Sequence, residues 1–168
     1  TSTTTTLDTS GGDPRASYVT IDCIGGSTDC KVFYYDEPAG DVVFVDCAQT
    51  TTTCDTPTLT IVDANVGAWN ANNAIAMDCT AADNCKLAYF DKNDSVLYFV
   101  DCGNGACSTT EINPITTVAG KTVGVVAMMD CLSDSTDCKL VYTDSNDDTL
   151  IFIDCLDETC VYDTLTAP

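Results

Sequence analysis

The amino-acid sequence predicts an all-β protein made of three tandem, four-stranded antiparallel meanders, stapled by disulfides and packed face against face. Three observations carry that expectation. The acidic residues are 23 Asp against 3 Glu, and threonine is the commonest residue at 27 of 168. Asp favours turns and strand ends, and Thr favours strands. The twelve cysteines fall into three sets of four, and in each set the second and third are 17 residues apart. The Cys-Lys dipeptides Cys30-Lys31, Cys85-Lys86 and Cys138-Lys139 recur after 55 and then 53 residues. A unit of about 54 residues therefore accounts for nearly the whole chain. The units run over about 16–66, 67–124 and 125–168, preceded by a Thr-rich strand or arm at 1–15.

Each unit reads as four strands in order. The first is Tyr18-Val19-Thr20-Ile21, with counterparts Ala74-Ile75-Ala76-Met77 and Val125-Val126-Ala127-Met128. The second is Lys31-Val32-Phe33-Tyr34-Tyr35, matched by Lys86-Leu87-Ala88-Tyr89-Phe90 and Lys139-Leu140-Val141-Tyr142. A polar turn rich in Asp, Asn and Gly follows, then a third strand: Val42–Val45, Val96–Val100 or Leu150–Ile153. The fourth is weaker and is expected at Thr58–Val62, Ile115–Val118 and, cut short, Thr164–Thr166. Strands two and three are apolar on successive residues rather than alternating. Strand side chains point to opposite faces, so both faces of these central strands must be covered. Sheets set as blades around an axis, or as layers along a stack, meet that demand.

The hairpin turn near residues 38–39 sets Cys30 opposite Cys47. Strands one and three of a flat meander lie nearly 10 Å apart, beyond disulfide reach. Two schemes survive: Cys23–Cys30 with Cys47–Cys54, or Cys30–Cys47 alone. Only the first leaves no thiol stranded. The expected bridges are Cys23–Cys30, Cys47–Cys54, Cys79–Cys85, Cys102–Cys107, Cys131–Cys138 and Cys155–Cys160. Structural zinc prefers pairs two residues apart, and the closest spacings here are five to seven. Six disulfides imply an oxidising compartment, extracellular or at the cell surface. The chain opens at Thr1 without a hydrophobic leader and reads as a mature form from which a signal peptide has been removed.

Charge and missing residue types exclude several functions. The formal net charge is −20 and there is no histidine. A surface this acidic repels phosphate backbones, which disfavours nucleic acid. No apolar run reaches the length needed to span a bilayer, so no membrane insertion is expected. Without histidine, Ser-His-Asp and Cys-His relays are impossible. Carboxylate pairs can hydrolyse glycosides, but with this many Asp residues some lie close by chance, and no enzyme is expected.

The first twelve residues resemble the fourth-strand segments, so the chain carries about one strand of that type too many. Thr3, Thr4, Thr5, Thr6 and Leu7 are the residues that would make it. Such a strand can close its own domain, add to a neighbouring subunit in head-to-tail growth, or remain a polar tail. Exchange with a neighbour is the reading favoured.

The run from Asp22-Cys23 through Cys30-Lys31-Val32-Phe33-Tyr34-Tyr35-Asp36 to Gly40-Asp41-Val42-Val43-Phe44-Val45-Asp46-Cys47 resembles the repeats of secreted microbial proteins with propeller-like, cysteine-containing β-repeats. That resemblance covers about residues 18–166 and implies a propeller-like arrangement. In general character, acidic, Thr-rich and cysteine-paired, the chain also resembles the protomers of extracellular glycosylated fibrils from environmental microbes.

Candidate sites are few. Asp precedes cysteine at Asp22, Asp46, Asp78, Asp101, Asp130 and Asp154, with Asp29 and Asp137 in the same role. A ring of these carboxylates would suit calcium, the one metal worth weighing. Turn carboxylates accepting backbone N–H groups are the reading favoured, and no cofactor is expected. Trp69 with Tyr34, Tyr35, Tyr89 and Tyr98 would make a sugar platform, but their strand positions favour core packing. Asn93-Asp94-Ser95 is an N-glycosylation sequon in a turn, and Thr3–Thr6 with Thr50, Thr51, Thr52 and Thr53 offer hydroxyls for O-glycans. The sequence thus reads as a non-catalytic structural subunit, a homopolymer of an extracellular fibre joined by its N-terminal strand. The alternative is an adhesin or carbohydrate-binding β-repeat module.

Overall fold

In the computed structural model the described residues are 7, 16–25, 29–47, 54, 57–67, 74–108, 110–115, 123–132, 137–144, 146, 149–156 and 159–164. Among them there are twelve strands and no helix. They are β1 (Ala16–Cys23), β2 (Cys30–Asp36), β3 (Asp41–Cys47), β4 (Thr58–Asp63), β5 (Ile75–Ala81), β6 (Asn84–Asp91), β7 (Val96–Cys102), β8 (Thr110–Ile115), β9 (Val123–Cys131), β10 (Cys138–Asp144), β11 (Leu150–Leu156) and β12 (Thr159–Thr164). They form three antiparallel four-stranded meanders: β1–β4, β5–β8 and β9–β12.

The hairpin arithmetic fixes the register. Cys30 pairs with Cys47, Cys85 with Cys102, and Cys138 with Cys155 on the central strands. All twelve cysteines are joined, as Cys23–Cys30, Cys47–Cys54, Cys79–Cys85, Cys102–Cys107, Cys131–Cys138 and Cys155–Cys160. Each bridge ties a central strand to its outer neighbour or to the loop before it. On the chain-entropy account such a small loop is worth about 2.5 kcal/mol.

Burial on both faces comes from stacking. Phe33, Tyr35, Val42 and Phe44 of the first sheet pack against Leu87, Tyr89 and Val100 of the middle sheet. The other face of the middle sheet, with Ala88, Phe90, Leu97 and Phe99, packs against Leu140, Tyr142, Ile151 and Ile153 of the third. The rear of the first sheet bears Val32, Tyr34, Val43 and Val45, and Leu7 packs there beside Cys54. Backbone linkage follows the same order. The Val66 N–H donates to the Gly40 carbonyl at 2.7 Å, and the Lys92 N–H donates to the Val66 carbonyl at 3.0 Å, so the segment after β4 ties two hairpin turns together. Gly67 there adopts φ +103°, and a Cβ on it would sit 3.0 Å from the Asn93 side chain. Only glycine fits that crossing without strain.

The fourth strands depart from expectation in two units. β4 lies where the sequence places it, but β8 begins five residues before the expected Ile115–Val118 and β12 five residues before Thr164–Thr166, while 116–118 and 165–166 lie outside the described residues. Cys102–Cys107 and Cys155–Cys160 span five residues, against seven for Cys47–Cys54. The chain therefore turns back sooner and its pairing begins sooner. Pro114 argues against a strand at its position, yet β8 is an edge strand, where a missing N–H is tolerated. The third sheet is consequently complete at four strands, not truncated.

Candidate functional site

Each sheet carries a charged row across three strands. Asp22, Lys31 and Asp46 are cross-strand neighbours in the first sheet, as are Asp78, Lys86 and Asp101 in the middle sheet and Asp130, Lys139 and Asp154 in the third. Lys31 lies two residues before Phe33 and so shares its face, which puts the row on the side toward the next sheet. The Lys31 ammonium lies 2.5 Å from Asp46 and 2.8 Å from Asp29. Lys86 reaches Asp101 at 2.5 Å, and Lys139 reaches Asp154 at 2.5 Å and also Asp137.

The rows differ in what covers them. Lys31 is 1% exposed between the first and middle sheets, whereas Lys139 is 35% exposed on the outer face of the third. Its bonds to Asp137 and Asp154 hold the Lys139 ammonium above its ordinary pKa.

In the first two rows the aspartate on the first strand joins sheet to sheet. The Cys79 N–H donates to Asp22 Oδ2 at 2.7 Å, and the Cys131 N–H donates to Asp78 Oδ2 at 2.6 Å. Burial pushes the Asp78 carboxyl up, and the nearby Asp22 and Asp130 carboxylates add to the rise, against the lowering effect of the Cys131 N–H. Asp130 occupies the corresponding position in β9 and is exposed. Two further bonds cross from the first sheet to the middle one. Thr60 donates to the Ala106 carbonyl at 2.7 Å, and the Tyr89 hydroxyl donates to Asp63 at 2.5 Å. Burial first, and Asp63 second, hold the Tyr89 phenol well above its usual range.

The three first strands adjoin in order, β1 beside β5 and β5 beside β9. Along them runs an open groove of about 610 Å³, lined by Val19, Ile75, Met77, Met128 and Asp130 and continuing to Lys139. Met128 is 71% exposed and Ile21, on the opposite end strand, is 63% exposed. The groove is apolar, with a carboxylate and an ammonium at one end.

Apart from Asp130, the Asp-Cys carboxylates are thus occupied by lysines and backbone N–H groups, and among the described residues no cluster of three acidic or sulfur ligands gathers on one point. Tyr34, Tyr35 and Tyr89 are buried, and Tyr98 stacks on Tyr89 with ring centroids 5.4 Å apart. Trp69 lies outside the described residues, as do Thr3–Thr6 and Thr50–Thr53. Asn93 sits exposed in the β6–β7 turn, and its amide donates to the Asn65 carbonyl. The sequence reading missed the sheet-joining role of Asp22 and Asp78. The legible signal was parity, because each of these aspartates pairs across the strand with the Cys-Lys lysine.

No helix among the described residues is long and apolar enough to cross a membrane. Six disulfides in a small all-β chain point to an oxidising, extracellular-type environment. Compared with family models, with curated proteins and with solved structures, the chain finds no match.

Proposed function

We propose that this protein is a secreted structural subunit, without catalytic activity, that builds an extracellular fibre by head-to-tail association. In this reading the three sheets are tandem copies of one unit, arranged as propeller-like blades or stacked layers, and the subunit ends are where growth occurs. The observation that carries it is the seat itself: Leu7 of the head segment closes onto the rear of the first sheet of its own chain, and exchange would fill that seat from a second copy. Every other sheet rear is covered by a preceding sheet. A contact made by a segment outside the three sheets can be made equally by the same segment of a second copy, which is the low-cost exchange that turns monomers into chains. Open-ended exchange yields a fibre. Covalent glycans on Asn93 or on the threonine runs would coat such a fibre, and intact-mass measurement before and after deglycosylation reads them directly.

The test is removal of the arm. Deleting residues 1–12, or placing a charge with Leu7→Asp, is expected to abolish fibres in negative-stain micrographs while the disulfide-linked body stays folded. Unaltered fibres from either variant would sink the exchange. A subunit that stays monomeric and binds immobilised glycans through Trp69 would instead be an adhesin-type module.

A further inference from the structure

The same junction is used twice inside the chain, and its two halves stand unused at the two ends. Within the chain, Asp22 on β1 takes the Cys79 N–H of β5, and Asp78 on β5 takes the Cys131 N–H of β9. Beside each bond, the residue two before the donating cysteine turns inward: Met77 is buried and Met129 is half-buried. On β1 the equivalents of that donor half are Ile21 and Cys23, both exposed; on β9 the acceptor half is Asp130 with Met128 two residues before it, both exposed, where the counterparts Thr20 and Ala76 are half-buried and buried. The charged row behind Asp130 repeats the pattern, since Lys139 with Asp154 is the counterpart of the buried Lys31–Asp46 pair.

From this continuity we infer that β9 of one copy docks against β1 of a second copy of this chain, with Asp130 accepting the Cys23 N–H and Met128 covering Ile21. This deepens the fibre reading and rests on its head-to-tail order, but it uses a different surface from the arm. Leu7 lies on the Val32, Tyr34, Val43 and Val45 part of the first sheet, so β1 remains open whichever copy supplies the arm. Apolar groups exposed singly on a monomer are ordinary. Here they coincide with an acceptor whose two homologous positions both hold a backbone N–H of the next sheet, and that coincidence selects the occupant. An unrelated partner would have no reason to match the Asp-to-Cys spacing.

The test uses the full oxidised chain in sedimentation-velocity experiments. Ile21→Arg and Met128→Arg each remove one half of the junction. Each should weaken self-association at least about tenfold, with little change in Tm because both side chains are exposed in the single copy. Mixed together in chains lacking residues 1–12, so that arm exchange cannot add copies, they should give a 1:1 dimer that grows no further, since one intact head and one intact tail remain. Asp130→Ala should weaken association, and Asp130→Asn, which keeps an acceptor oxygen, should restore most of it. Wild-type-like assembly by both arginine variants would overturn the inference, as would a wild-type chain that remains monomeric. If the chain lacking residues 1–12 loses fibres but still forms the 1:1 dimer when it carries these substitutions, the docking stands. If that chain still forms fibres, the arm exchange fails and the docking is judged by the arginine variants alone.

Discussion

Asp78 is the residue where structure and charge meet most closely. Its carboxylate is bonded to a backbone N–H of the next sheet, yet burial raises its pKa and two other carboxylates add to the rise. A raised folded value means that the folded chain holds more protons than the unfolded one between the unfolded value, about 3.9, and the folded value. The contribution of Asp78 to stability is therefore full below the unfolded value and is lost as the pH rises through the folded one. Asp78→Asn keeps an acceptor for the Cys131 N–H and removes the titration. Urea unfolding at about pH 4 and about pH 7 should show the variant gaining relative to wild type at the higher pH. Parallel profiles would mean that folding leaves this carboxyl unshifted.

At the level of the element, the central strands show how far a sequence pattern reaches. The consecutive apolar residues of β2 and β3 demand two covered faces, and Phe33 with Phe44 faces the middle sheet while Val32 with Val45 faces away. Lys31 sits in that buried layer because its ammonium has two carboxylates to meet. Removing the charge from such a pair leaves carboxylates in a poorly solvated place, at a cost of about 3 kcal/mol. Lys31→Met should accordingly lower Tm by many degrees, whereas Lys139→Met, at the same position of an uncovered sheet, should leave Tm nearly unchanged. Equal losses in calorimetry would show that depth in the stack does not govern these pairs. Elements with weak patterns were read less well. β8 and β12 begin earlier than the Thr-rich segments suggest, because the length of a disulfide loop, rather than local propensity, sets where pairing resumes.

The molecule as a whole is a stack of thin sheets held against its own charge. A net charge of −20 on 168 residues opposes compaction and opposes the approach of a second copy. Six covalent bridges offset the first, and mobile ions screen the second. Raising sodium chloride from about 10 mM to about 300 mM, which shortens the screening length from about 30 Å to under 10 Å, should raise Tm and promote self-association together. The association step should respond more strongly, because it brings two like-charged bodies together. A salt-independent sedimentation profile would remove long-range repulsion from the account.

The sequence by itself determined the strand content, the register of the central hairpins and the partner of each cysteine. All three are local: spacing along the chain limits which sulfurs can meet, and parity decides which side chains share a face. Tertiary structure alone decided which face looks toward which sheet, that Asp22 and Asp78 reach across to the following cysteine N–H groups, and that Leu7 seats on the first sheet. Those contacts join residues far apart in the chain, where no spacing rule operates, and they exist only once the sheets have stacked.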